Sequence, residues 1–278
     1  MSSFALSIGF LSIVQAGLIL VPRPARTWRL DALRSRWWAL LPPASIAVVI
    51  LAVDLEPVSA QGLTYLALVA VPPLAALAAA LLVRGARPPL ALAIVPLFAL
   101  AWIERGSLAG ELSSLVLSSL ACVALGWLLA SVVPPSWLKL GVYAMALVDC
   151  FLVASDLLQG PNSVLVAAAP GGGLPRLQSI QVGSATMGFG DLFVATTVGA
   201  LLASRDRPIR LAVAGAAAAL ALGFDLLFFV VSELPATVPM ALSLALLSLR
   251  DRAGAAAPDT PTRLHALTAR RRALIGPP

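Results

Sequence analysis

Four aspartates, Asp149, Asp156, Asp191 and Asp225, fall within strongly apolar stretches of this chain. A carboxylate at mid-membrane costs from about 2.5 kcal/mol upward, so each is a candidate functional group. Two such acids held close cannot both ionise cheaply; one keeps a proton, the other is charged, and the pair titrates as a unit. The charged member can activate a water, and the neutral one can polarise a carbonyl and protonate a leaving group. Spread along a pathway instead, the same acids relay protons.

Context separates the four. Asp149 lies about eleven residues into its apolar run, near the midplane, whereas Asp156 is followed by Leu-Leu-Gln-Gly-Pro and reads as an interfacial carboxylate touching water. Asp225 lies in the outer half of a later run, facing a polar cavity or accepting from a neighbouring Ser or backbone group. Asp191 closes the run Met187-Gly188-Phe189-Gly190-Asp191. Two glycines ahead of the acid uncover the backbone and permit close approach of another chain, although small residues also serve plain helix packing in membranes. With 20 Gly and 9 Asp in 278 residues, this four-residue pattern is expected by chance only about 0.05 times. A third element, Glu233-Leu-Pro-Ala-Thr-Val-Pro-Met240, carries two prolines that remove amide donors. Irregular backbone at membrane depth is tolerated where it lines a cavity, while proline in a first turn is also an ordinary helix start.

The elements that must position these groups are helices. Hydrophobic residues make up 60% of the chain and charged residues 12%, too apolar a balance for a water-soluble domain. Runs of seventeen or more apolar residues are long enough to cross a hydrocarbon core of roughly 30 Å. The pattern predicts about nine spans, at 3–21, 37–53, 63–83, 88–102 (interrupted by Pro96), 112–133, 138–158, 180–204, 209–231 and 235–249. The first lacks a basic leader and a persuasive cleavage site, and reads as a retained helix with its N-terminus outside. Between the sixth and seventh spans, Val164-Leu-Val-Ala-Ala-Ala169 reads as a short strand or re-entrant piece, and Pro170–Pro175 as a hinge or a plain loop.

Loop charge orders these spans. Arg23, Arg26, Arg29, Arg34 and Arg36, then Arg84 and Arg87, Lys139, then Arg205, Arg207 and Arg210, and six Arg of the tail all fall on one side, 17 in total. Only Arg105 and Arg176 fall on the other. By the positive-inside rule this predicts an inner-membrane protein with its C-terminus in the cytoplasm. The pI near 10.6 therefore records topology and not a nucleic-acid partner. Cys122 and Cys150 sit in apolar spans and His265 is distant, so neither a disulfide framework nor a metal site is expected, and no cofactor.

Together these motifs resemble the presenilin and signal-peptide-peptidase family of intramembrane aspartyl proteases, over roughly residues 138–249. The resemblance implies an all-α, presenilin-like fold with catalytic Asp149 and Asp191. It places substrate contacts at Gly188, Phe189 and Gly190 and at Leu234, Pro235, Ala236 and Pro239. Its implied partners are the lipid bilayer and transmembrane-helix peptides, of type II orientation by analogy with signal peptide peptidase. The chain departs from the family at Val148, where a tyrosine is usual, with Tyr143 the nearest, and at Thr237-Val238-Pro239 in the third motif. Prepilin peptidases share Gly-x-Gly-Asp but typically carry a lysine two residues on, where this chain has Phe193. A proton-coupled transporter using Asp149, Asp191 and Asp225, or a silent helix-binding scaffold, are the rival classes. The expected organisation is a five-helix bundle over 1–133, a catalytic region over 134–249 and a basic cytoplasmic tail over 250–278.

Overall fold

A computed structural model describes residues 2–24, 30–55, 58–155, 157, 159–231 and 234–256. The chain divides into two compact units, Met1–Leu244 and Ala245–Pro278. The first holds α1 (Ser2–Gly17), α2 (Leu41–Leu55), α3 (Val58–Leu77), α4 (Ile94–Ile103), α5 (Leu108–Val132), α6 (Pro135–Ala154) and α7 (Gln159–Ala167). A hairpin of β1 (Ser179–Val182) and β2 (Ala185–Gly188) follows, then α8 (Phe189–Leu201) and α9 (Arg207–Asp225). The last helix, α10 (Val238–Ala256), begins in the first unit, and its final turns are the described part of the second. The architecture is all-α apart from the hairpin. Among the described residues six helical stretches are long and apolar enough to cross a bilayer: Ser3–Leu20, Arg36–Val53, Ser59–Leu82, Leu108–Val132, Pro135–Ala154 and Arg207–Phe229. Pro88–Ile103 and Phe189–Leu201 are shorter apolar helices.

Helix α5 is the post against which α3, α4 and α8 pack. Ser107 caps its start by accepting from the Gly110 amide at 3.3 Å. Small residues then let backbones approach, as membrane helix packing requires. A Cβ on Gly126 would stand 2.9 Å from the Thr196 and Thr197 backbone of α8, and one on Gly199 2.8 Å from the Ile19 carbonyl. On the same seam the Thr196 hydroxyl donates to the Cys122 carbonyl at 2.8 Å. Large apolar side chains such as Leu6, Val48, Val69, Val95, Leu147 and Val230 stay exposed on the outside.

Polar contacts collect at two ends. At one, Pro22 and Val83 form an isolated bridge, the Arg84 guanidinium donates to the Ala203 carbonyl at 2.7 Å, and that of Arg210 donates to the Leu20 carbonyl. These are loops that the charge pattern assigns to one side. The other set joins the amide of Gly183 to the Glu111 carboxylate at 2.8 Å, and that of Gly171 to the Tyr65 hydroxyl at 3.0 Å.

The structure corrects four local expectations. The seventh segment, read as a helix over 180–204, is a hairpin up to Gly188 and a helix only from Phe189. Ile180, Val182, Ala185 and Met187 are buried and alternate with exposed or partly exposed neighbours, a period of two that a hydropathy window averages away. Gly183, at φ 58°, supplies the left-handed residue that the two-residue turn needs. Asp191 therefore lies just past the strand–helix junction, in the first turn of α8. Second, Val164 to Ala167 belongs to α7 and is not a strand; the glycine turn Gly171–Gly173 follows. Third, the sixth helix ends at Ala154 instead of 158. Fourth, the ninth starts at Val238, after Pro235, and runs to Ala256 in what was expected to be tail. Asp156, Glu233, His265 and residues 257–278 lie outside the described residues.

The tight α5–α8 seam yields an expectation. Gly126→Val should destabilise the protein by about 1–3 kcal/mol, the usual cost of overpacking, seen as a lower denaturation midpoint in detergent. Gly215→Ala, where a Cβ meets open space, should leave that midpoint unchanged or raise it slightly.

Candidate functional site

Asp191 owes its place to the hairpin. Strand β2 delivers Gly188 as the last extended residue (φ −70°, ψ 150°), and the chain turns into α8 immediately after. Asp191 is then the third residue of the helix, and its Oδ2 accepts from the Gly188 amide at 3.1 Å. That bond satisfies a donor at a helix start, where an acid also suits the positive end of the dipole. Gly190 leaves room for the Met145 methyl of α6, which would lie 3.6 Å from a Cβ there. Phe189 is partly buried against the apolar cluster of Leu117, Ala121 and Leu177, and its carbonyl accepts from the Cys122 thiol at 3.6 Å.

Asp149 stands one turn beyond Met145 on α6 and so shares the face turned towards α8. It is half-buried, and its Oδ2 accepts from Thr237, at 2.6 Å from the hydroxyl and 3.4 Å from the amide. Asp191 lies across the packing of α6 on α8, where the Met145 methyl meets Gly190. Thr237 belongs to the third motif, whose residues Leu234, Pro235 and Ala236 are partly buried and precede the helix; Thr237 and Pro239 are buried. Pro239 carries no amide, and the Pro235 carbonyl is met instead by the Val238 amide at 3.2 Å. The irregular turn is thereby held with Thr237 facing the carboxylate.

The motifs named from the sequence therefore converge: α6 brings Asp149, α8 brings Asp191, and the turn before α10 bonds to the first of them. Asp225 is placed elsewhere. It closes α9, on the seam with α1, and accepts from the Ser12 hydroxyl at 2.9 Å. Among the described residues no group of three His, Cys, Asp or Glu is close enough to hold a metal ion.

Sequence reasoning missed two members of the site. Thr237 stands where the resembled motif has a leucine, so it registered only as a departure. Gln15, on α1, is buried, and its amide nitrogen donates to the carbonyls of Asp191 and Ala236, both at 3.1 Å. The available signal was a lone long amide in an apolar run, the kind of polar residue that membrane interiors hold only with a partner. Comparison with family models, with curated proteins and with solved structures returns no match to this chain.

The Thr237 contact can be tested by itself. Thr237→Val keeps the shape but removes the hydroxyl donor, and should cost about 1–2 kcal/mol of stability in detergent unfolding. Thr237→Ser, which keeps the donor, should recover most of that loss.

Proposed function

We propose that the chain is an intramembrane aspartyl endopeptidase that cuts transmembrane helices or signal-peptide remnants with the pair Asp149 and Asp191. The observation that carries this reading is the convergence of the two aspartates from separate helices. Asp149 is hydrogen-bonded to the proline-bracketed turn that the resemblance singles out, and Gln15 ties that turn to the backbone of Asp191.

In this reading one carboxyl is ionised and takes a proton from a water, whose oxygen attacks the scissile carbonyl carbon. The other, protonated, hydrogen-bonds to the carbonyl oxygen and stabilises the tetrahedral intermediate. As the C–N bond breaks, a proton passes to the leaving nitrogen, leaving one new carboxyl and one new amine. A helix hides its peptide bonds in i→i−4 pairing, so the substrate must first unwind. Exposed Thr186 on β2, with the carbonyl of exposed Gly188, offers an edge for an unwound segment to pair by strand addition. The same reading assigns about nine spans, an outside N-terminus and a cytoplasmic C-terminus in the plasma membrane. The clustering of Arg23, Arg84 and Arg210 contacts at one end supports that topology. The transporter reading would need Asp225 in a relay with the pair, and its bond to Ser12 on another seam does not favour that.

Single-span peptides offered to the purified protein in lipid nanodiscs should be cut. Asp149→Ala or Asp191→Ala should each lower the rate by at least about 100-fold, with the double variant little worse than either single one. Asp225→Asn should stay within a few-fold of wild type. Cleavage surviving both single substitutions would sink the pair. Because only the singly protonated pair is active, the rate should follow a bell-shaped pH profile; a monotonic rise with pH would contradict a shared proton. Topology is checked separately with reporter fusions. A fluorescent protein at the C-terminus should glow in the cytoplasm, and a phosphatase active only outside should work when fused after Gly106.

A further inference from the structure

The two aspartates sit on different helices, and no covalent link sets their separation. Proton sharing and water activation both require that separation to be held, since a misplacement of about 1 Å can cost 100-fold in rate. Asp149 is secured through Thr237, and the carbonyl of the preceding residue, Ala236, accepts from Gln15. The second hydrogen of the same Gln15 amide goes to the carbonyl of Asp191. An amide nitrogen has two hydrogens to give, and both are used. Both neighbours are carbonyl oxygens, which only accept, so the chemistry itself fixes which end of the Gln15 side chain faces them.

A continuous path results: Asp191 carbonyl, Gln15 amide, Ala236 carbonyl, the Ala236–Thr237 peptide, and the Asp149 carboxylate. The rotation of α1 that aims Gln15 inward is fixed one turn earlier. There Ser12, three residues before Gln15 and on the same face, donates to Asp225 of α9 at 2.9 Å. Ser12 and Gln15 are buried polar side chains in a helix that carries no charged residue.

We propose that Gln15 is a positioning residue that sets the spacing of Asp149 and Asp191, by tying the backbone of Asp191 to that of Ala236. The proposal rests on the reading of the pair as proteolytic. Gln15 touches neither carboxylate among its hydrogen bonds and acts through the two backbones. Helix α1 thereby becomes part of the machinery, although the sequence motifs all lie after residue 138.

The test uses the full chain in nanodiscs with Gln15→Met, equal in length but without donors, and Gln15→Glu, whose protonated carboxyl supplies one donor. Gln15→Met should lower kcat roughly 10- to 100-fold with KM nearly unchanged. Its bell-shaped pH profile should narrow, because a looser pair shares a proton less tightly. Gln15→Glu should recover part of kcat. Hydrogen–deuterium exchange gives a readout without substrate: in Gln15→Met, peptides covering 189–195 and 236–241 should both exchange faster, with 112–130 unchanged. A Gln15→Met enzyme with wild-type kcat and pH profile overturns the proposal while leaving the dyad standing. If wild type cuts nothing, the proteolytic reading fails, and exchange still decides whether Gln15 couples the two segments; faster exchange confined to α1 overturns the coupling. Should Gln15→Met not fold, Gln15→Glu and Gln15→Asn carry the same comparisons, and wild-type behaviour in both overturns the proposal.

Discussion

Inside a bilayer a polar group has no water to fall back on, so every buried donor and acceptor must find its partner in the protein. That constraint organises the centre of this molecule. The Asp149 carboxylate takes the Thr237 hydroxyl, the Asp191 carboxylate takes the Gly188 amide, and the carbonyls of Asp191 and Ala236 share the amide of Gln15. Each contact is ordinary; their connection is what matters. Five segments, α1, α6, the hairpin, α8 and the turn before α10, meet around one small polar set, and moving any of them would strand a donor or an acceptor.

The surrounding apolar structure serves that meeting. Helix α5 brings α8 into backbone contact through Gly126, and Gly199 admits the Leu18–Leu20 turn that follows α1 on another face. The hairpin then lets α8 begin only at Phe189, so that Asp191 falls in a helix's first turn, where the dipole favours an acid. A continuous helix over 180–204 would have placed the same aspartate amid regular backbone, with no extended strand beside it. The departure from helix is therefore also the feature that an extended substrate would use in the proposed cleavage.

The sequence made some of this legible and hid the rest for identifiable reasons. Asp149, Asp191 and the Pro235–Pro239 element stood out because charge and proline are rare at that depth, and rarity survives averaging. Helix positions followed from apolar runs. The hairpin did not, because Ile180, Val182, Ala185 and Met187 are as apolar as a helical span and only their alternation betrays a strand. Val164 to Ala167, for which a short strand or a re-entrant piece was expected, is not a strand but continues a helix begun at Gln159. Gln15 shows in the sequence only as a lone amide in an apolar run, because its partners are two carbonyls far along the chain, a relation no local window contains. Asp225 was rightly noticed as costly, and its partner, Ser12, could not be named without the α1–α9 packing.

The central claim is hydrolysis of a peptide bond within a membrane span, and the most direct measurement is mass spectrometry of products formed in oxygen-18 water. The account predicts cuts inside the apolar segment of a single-span substrate, with one heavy oxygen in each new carboxyl, absent with Asp191→Ala. An intact substrate, or cuts confined to loops and persisting in that variant, would contradict it.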